Sequence, residues 1–118
     1  MFSLHSGLRF WFCPEPTDMR KSFDGLSGLV RMHLALNPGN GDVFIFIGKR
    51  RDKIKLLHWE DGGFTLYYKR LESGTFELPV TADGRCHLSW WQLCLLIEGV
   101  SARGIRYRKR YKSTIESG

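Results

Sequence analysis

The stretch between residues 42 and 79 alternates apolar segments with joints so short that only tight turns fit between them. The segments read DVFIFI, KIKLLHWE, FTLYYKRLE and TFELP, and the joints read GKRRD, DGG and SG. Apolar runs bounded by glycine, aspartate and serine are typical of β-strands and the turns between them. Connections this short force neighbouring strands to run antiparallel. The stretch therefore predicts a meander of three or four antiparallel strands.

A helix is predicted ahead of this meander, over TDMRKSFDGLSGLVRMHLAL at residues 17–36. Its apolar residues recur at three- and four-residue steps, which is typical of an amphipathic helix, and Asn37-Pro38-Gly39 ends it. Gly25 and Gly28 each lower the helix propensity by about 1 kcal/mol relative to alanine. Their presence predicts that this helix packs tightly on a neighbouring element.

A second helix is predicted after residue 88, because its beginning carries a strong capping signal. Ser89 and Gln92 match the capping box, in which each side chain bonds the backbone N–H of the other residue. Leu88 and Leu93 occupy the positions of a hydrophobic staple, and Gly99 follows as a stop.

One domain accommodates all of these elements. At 118 residues the chain is large enough for one hydrophobic core and too small for two. GLRFWFC at residues 7–13 adds a short N-terminal strand, which two prolines end. We expect an α+β fold, in which an antiparallel meander of about four to five strands carries two helices packed on one face. Residues 1–100 are expected to form this domain, and residues 101–118 a basic C-terminal arm.

Positive charge is concentrated at the C-terminus and near two turns. The formal net charge is +6, and the last 18 residues hold six basic side chains against one glutamate. Because lysine and arginine bind phosphates, and arginine also binds base edges, this asymmetry favours a nucleic-acid partner. The candidate DNA-binding residues are Lys49, Arg50, Arg51, Lys53, Lys69, Arg70, Arg106, Arg108, Lys109 and Arg110. The alternatives are a solvated turn and a solubilising tail, both of which also favour charge.

No residue pattern points to catalysis. The carboxylates are scattered, and neither a nucleotide-binding nor a nucleophile motif is present. A two-metal nuclease site built from the aspartates and glutamates is therefore disfavoured. His33 and His58 lie on apolar faces, where a hydrogen-bonded core histidine is expected rather than a base or a metal ligand. The cysteines lack the paired spacing of a zinc site, so we expect neither enzymatic activity nor a metal or other cofactor.

The sequence also predicts a cytoplasmic protein. No apolar run reaches the roughly 18 residues of a membrane-spanning helix. The N-terminal MFSLHSGLRFWFCPEP lacks the basic region and the cleavage site of a signal peptide. We therefore expect no membrane partner.

Several blocks of this sequence resemble, in the same order, a family of small mobile-element proteins. The blocks are Met19-Arg20-Lys21, Phe23-Asp24-Gly25-Leu26, Arg50-Arg51-Asp52-Lys53-Ile54-Lys55, Trp59, Gly63-Phe64, Tyr68-Lys69-Arg70-Leu71-Glu72 and Leu96-Ile97-Glu98-Gly99. With them, roughly residues 5–100 are similar to the TnpB accessory proteins, which the second open reading frame of IS66-family insertion sequences encodes. This family is distinct from the larger RNA-guided nuclease that shares the name TnpB.

The resemblance implies an accessory role in transposition, beside a separate DDE transposase that carries out the chemistry. It implies no catalytic site, and the basic tail lies outside the shared region. We expect a non-catalytic protein that binds DNA, with the element ends as candidate targets, through the basic hairpin and the tail. The alternative is an adaptor that docks on the transposase or another accessory protein through exposed aromatic side chains. The candidate adaptor residues are Trp59, Tyr67, Tyr68, Trp90 and Trp91.

Overall fold

The computed structural model describes residues 4–79 and 86–98. Along the chain, these residues form β1 (Phe10–Phe12), α1 (Phe23–Leu29), a π-helical turn (Val30–Leu34), β2 (Val43–Ile47), β3 (Lys53–Glu60), β4 (Gly63–Arg70), β5 (His87–Leu88) and α2 (Trp90–Glu98). The strands form one mixed, mostly antiparallel sheet in the order β4-β3-β2-β1-β5, which confirms the predicted α+β class. No helix within these residues is long and apolar enough to cross a membrane. The predicted basic arm lies outside the described residues.

The antiparallel meander predicted from the short joints is formed by β2, β3 and β4. The turn between β3 and β4 is the two-residue type I′ turn that an Asp-Gly pair favours, with φ of 52° at Asp61 and 81° at Gly62. This turn pairs Glu60 with Gly63, and the same register continues along both strands. The side chains of β3 and β4 therefore lie in opposed pairs on each face of the sheet.

The strands at the other side of the sheet were harder to predict. β1 runs parallel to β2, because the chain crosses over through α1 before it returns to the sheet. β5 is only two residues long and pairs antiparallel with β1. Residues 75–79 were predicted as a strand but form none. Phe76 in this segment is instead fully buried, and its N–H donates to Arg51 O at 2.6 Å, so the segment crosses the turn between β2 and β3.

Buried side chains cover both faces of the sheet. All five residues of β2 are buried, and neighbours along a strand point to opposite faces. One face packs against α2 through Leu93 and Leu96, and the other face packs against α1 and the π-helical turn through Leu26 and Val30. The two helices therefore lie on opposite faces, whereas the sequence predicted both on one face. The physical reason is the uninterrupted apolar run of β2, which needs cover on both sides.

The helices confirm one local prediction and contradict another. Both capping-box hydrogen bonds of α2 are present, since Gln92 N–H donates to Ser89 Oγ at 3.1 Å and Ser89 N–H donates to Gln92 Oε1 at 2.8 Å. The tight packing predicted from the glycines of α1 is wrong. A Cβ added at Gly28 would meet nothing within 4 Å, and one added at Gly25 would meet the Lys21 side chain at 3.1 Å. The helix packs on the sheet through its larger apolar residues instead.

Candidate nucleic-acid interface

The turn between β2 and β3 presents the basic tip, which consists of the three exposed residues Lys49, Arg50 and Arg51. Hydrogen bonds fix its backbone: Arg51 N–H donates to Gly48 O at 2.9 Å, and Arg51 O accepts from Phe76 N–H at 2.6 Å. The basic tip therefore carries three consecutive cations on a backbone of defined conformation.

Arg51 occupies the left-handed region of backbone conformation, with φ of 60°. Residues with a Cβ rarely adopt this region, and the strain costs on the order of 1 kcal/mol. Glycine would adopt the same conformation without this strain. The turn thus carries a positive charge at a position where backbone preference alone would select glycine.

The cations around this turn differ in whether a carboxylate already neutralises them. Inside the described ranges, no side chain of the basic tip has a hydrogen bond or an ion pair. Lys53 Nζ lies 3.2 Å from Asp52 Oδ1, and Arg70 Nη2 lies 3.2 Å from Glu72 Oε1. Lys53 and Arg70 also lie opposite each other in the β3–β4 register. Both therefore border the basic tip, but as members of local ion pairs.

Lys69 differs from the other predicted cations that the structure describes, because its side chain points to the face that α2 covers. Its Nζ donates to Ile97 O at 2.9 Å, near the C-terminal end of α2, where a positive charge is favourable. This hydrogen bond ties β4 to α2. The remaining predicted residues lie outside the described residues, and they are Arg106, Arg108, Lys109 and Arg110.

Lys55 also belongs to this region, although it was not among the predicted site residues. It is only 5% exposed on β3. Its Nζ donates to Met19 O at 2.7 Å and to Lys21 O at 2.8 Å, and it lies 4.6 Å from the centre of the Tyr68 ring. These contacts hold the segment before α1 against the sheet. The signal that could have identified Lys55 is its position inside an otherwise apolar strand stretch.

The segment before α1 brings further positive charge next to the basic tip. Thr17 forms a β-bridge with Gly48, so the segment starts at the base of the turn. Arg20 and Lys21 are both exposed. Arg20 Nη2 lies 2.8 Å from Asp18 Oδ2, and the hydrogen bonds from Arg20 hold the pKa of the Asp18 carboxyl well below its usual value. Since Asp18 already neutralises Arg20, the charge that this segment adds is Lys21.

A partly exposed apolar strip lies on the α1 side of β3 and β4 and forms the aromatic face, which consists of Trp59, Phe64, Leu66 and Tyr68. Trp59 and Phe64 meet edge to face, with ring centres 4.9 Å apart. The Tyr68 side chain beyond them is 52% exposed. The aromatic face runs along β4 toward Arg70 and the basic tip.

The five aromatic residues considered for an adaptor surface do not lie together. Trp59 and Tyr68 belong to the aromatic face, whereas Tyr67 packs on the opposite face with the cluster that α2 covers. Trp90 packs against Phe10, with ring centres 5.7 Å apart. Trp91 is 68% exposed on α2. An adaptor surface would therefore have to use the aromatic face or Trp91, but not all five residues.

The histidines and cysteines were considered as candidate bases or metal ligands. His58 is a hydrogen-bonded core residue, as predicted: it is 5% exposed, its Nε2 lies 3.1 Å from Gly41 O and its Nδ1 lies 3.3 Å from Glu60 Oε2. His33 is exposed, so the same prediction is wrong for His33. Burial raises the pKa of the Cys13 thiol. Among the residues that the structure describes, no three His, Cys, Asp or Glu side chains are grouped closely enough to hold a metal ion.

Comparison with known proteins gives two relatives of similar length from Sinorhizobium fredii (strain NBRC 101917 / NGR234). "Uncharacterized protein y4jC" is 38% identical over 94 residues, which cover 80% of each chain. "Uncharacterized protein y4hO" is 37% identical over 97 residues, which cover 81% of this chain and 84% of the relative. No solved structure matches the chain.

Most of the chain matches the sequence model of one family of mobile-element proteins. The sequence model of the family described as "IS66 Orf2 like protein" matches residues 8–107, which include every described element and the basic tip. This family is one of accessory proteins and not a known catalytic family. The chain belongs to the IS66 Orf2-like family, and this membership implies an accessory role in the transposition of an insertion sequence.

Proposed function

We propose that this protein is a non-catalytic, cytoplasmic accessory protein of transposition that binds DNA, with the basic tip as its main phosphate contact. The observation that carries the proposal is the basic tip itself, in which three consecutive cations are exposed on a hydrogen-bonded turn. All three side chains are exposed, so phosphates can reach them from solvent. The family supports DNA as the partner, since transposition acts on DNA.

The predicted cations contribute unequally in this proposal. Each side chain of the basic tip neutralises one phosphate and releases its counterion. Lys53 and Arg70, already paired with carboxylates, orient the tip more than they add net charge. Lys69 keeps β4 joined to α2. The tail, with Arg106, Arg108, Lys109 and Arg110, adds affinity that does not depend on DNA sequence.

Salt-dependent binding tests the proposal. The full chain is titrated against labelled duplexes, one with the sequence of the element ends and one with a random sequence, between about 50 and 200 mM salt. We expect both duplexes to bind, and each phosphate contact to contribute about 0.9 to the slope of log Kd against log salt, so about 2.7 for the basic tip alone. Absence of binding at about 50 mM salt, or a slope near zero, contradicts the proposal.

A matched pair of arginine variants assigns the contact to the basic tip. Arg50→Gln should lower the salt slope by about 0.9, because one phosphate contact is lost. Arg31→Gln removes another exposed arginine, from the π-helical turn, and should leave the slope unchanged. If both variants give the same salt slope as the unaltered chain, Arg50 does not contact a phosphate, and the assignment of the DNA contact to the basic tip is wrong.

Catalysis belongs to a separate transposase in this proposal. The full chain incubated with duplex DNA and magnesium or manganese should therefore give no cleavage products. If the chain cleaves DNA and a single Asp→Asn change abolishes the cleavage, the protein is a metal-dependent nuclease and the proposal is wrong.

The second candidate function is an adaptor that docks on the transposase or another accessory protein. One observation favours it: Trp91 is 68% exposed on α2, and tryptophan is enriched at the centres of protein interfaces. Capture of the transposase of the same element should then be lost in Trp91→Ala and retained in Arg50→Gln. If Trp91→Ala captures the transposase as well as the unaltered chain does, Trp91 is not part of an adaptor surface.

A further inference from the structure

The aromatic face presents flat ring surfaces along an edge strand. In the sheet formed by the described residues, β4 pairs only with β3. Phe64 and Tyr68 point to the same side of β4 and lie about 13 Å apart along it. Trp59, directly opposite Phe64, is 36% exposed. The Trp59–Phe64 pair and Tyr68 therefore form two aromatic platforms in line.

The Tyr68 ring is supported on one side and open on the other. Lys55 Nζ lies 4.6 Å from the ring centre, and two backbone carbonyls hold this ammonium in place. Tyr68 is 52% exposed, and an open depression of about 280 Å³ lies between Tyr68, Arg70 and Glu72. A planar group can therefore stack on the outer side of this ring without displacing the protein.

The charge around the aromatic face favours an anionic partner at one end. Arg70 and Lys53 lie on the same side of the sheet as the aromatic face and connect it to the basic tip. The neighbouring carboxylates, Glu72 and Asp52, each form an ion pair with one of these cations. The exposed Asp61 makes the opposite end acidic. Phosphates are thus favoured near the basic tip, and uncharged bases along the rings.

We infer that the aromatic face binds single-stranded DNA, with one base stacked on Tyr68, a second on the Trp59–Phe64 pair, and the phosphates directed toward the basic tip. Stacking needs unpaired bases whose faces are open, which a duplex does not offer, and exposed rings beside cations are the means by which proteins hold single strands. The inference rests on the proposed function, because the basic tip supplies the charge, and it names separated strands as the substrate.

Binding of an oligothymidine and of a duplex to the full chain tests this inference, with fluorescence anisotropy as the readout. Tyr68→Ala should weaken binding of the oligothymidine about 10-fold, equivalent to ~1.4 kcal/mol and within the range for one stacked base. Binding of the duplex should change by less than about 2-fold. Tyr68→Phe keeps the ring and should bind the oligothymidine as the unaltered chain does. Trp91→Ala, which removes an exposed tryptophan from α2, is the matched control and should change neither affinity.

The possible outcomes separate the inference from the proposed function. If the Tyr68→Ala variant binds both the oligothymidine and the duplex as tightly as the unaltered chain does, the aromatic face is not the binding site for single strands. DNA binding through the basic tip is then still supported. If the unaltered chain binds neither DNA, the inference and the proposed function are both rejected. Loss of transposase capture in Tyr68→Ala, with DNA binding unchanged, assigns the aromatic face to a protein partner and overturns the inference. Trp59→Ala removes the other platform, so it gives an independent measurement if Tyr68→Ala fails to fold.

Discussion

Replacement of Lys55 by methionine keeps an unbranched apolar stem but removes the ammonium that joins β3 to the segment before α1. The ammonium donates to two carbonyls, at 2.7 and 2.8 Å, and lies over the Tyr68 ring. Each hydrogen bond from a charged donor contributes roughly 1.5–3 kcal/mol, and the ring contact adds about 0.5–2 kcal/mol. The opposing effect is the desolvation of an ammonium that is 5% exposed, which costs several kcal/mol.

Whether the variant is less stable depends on the cost of leaving the two carbonyls without a hydrogen-bond donor. Because the methionine variant leaves both of them without their donor, we expect the free energy of unfolding to fall by about 2 kcal/mol and the melting temperature to fall by about 10 °C. Urea denaturation, followed by tryptophan fluorescence and by circular dichroism, measures this loss. Hydrogen exchange should also accelerate most in the segment that Lys55 holds.

Lys53→Met is the matched control, since Lys53 lies on the same strand and the same side as Lys55 but forms only a partly exposed ion pair with Asp52. We expect this control to change the free energy of unfolding by less than about 1 kcal/mol. A Lys55→Met variant that is as stable as the unaltered chain, or more stable, would refute the reasoning. In that case the desolvation cost outweighs both hydrogen bonds, as happens for some buried ion pairs.

Three further predictions concern α1, the basic tip and the segment between β1 and α1. Gly28→Ala should raise the free energy of unfolding by about 1 kcal/mol, because the new Cβ meets nothing, whereas Gly25→Ala should gain less because its Cβ meets a side chain at 3.1 Å. Equal gains in urea denaturation would contradict this difference. Arg51→Gly should raise the melting temperature by relieving the left-handed φ of 60°, while it weakens DNA binding, and a lower melting temperature would disprove the strain. Asp18 should titrate well below its ordinary pKa of 3.8 in an NMR titration, and Arg20→Gln should return its pKa toward that value. Since the folded-state pKa of Asp18 is depressed, the stability from this pair is present above about pH 4 and is lost as the pH falls further.

Features whose interacting atoms lie within a few residues of each other could be predicted from the sequence. The Asp61-Gly62 turn and the capping box of Ser89 and Gln92 both form as predicted. The exposure of the basic tip is a result of the same kind, because a charged turn between two apolar strands has nowhere to lie but at the surface. Local patterns therefore established the meander and the tip.

Features that depend on distant residues could not be predicted. The ammonium groups of Lys55 and Lys69 reach carbonyls that lie 28 to 36 residues away along the chain, so the strand pattern could not identify the partner of either side chain. The placement of the helices on opposite faces depends on how β1 enters the sheet, and β1 pairs with residues far from it. The uninterrupted apolar run VFIFI of β2 was a sequence signal for two covered faces.

β1 lies between β2 and β5 and joins parts of the chain that are far apart in sequence. Phe10 pairs with Val43 and with Leu88, across separations of 33 and 78 residues, whereas β2, β3 and β4 are joined by tight turns. Hairpins form within about 10 μs, and loop closure becomes more costly as the separation grows. The hairpins that carry the basic tip and the aromatic face can thus form from contiguous residues before β1 pairs with β2 and β5. The apolar face that α2 covers is exposed to water until α2 has been synthesised and has packed on the sheet. The nascent sheet is therefore prone to aggregation until the C-terminal part of the domain is complete.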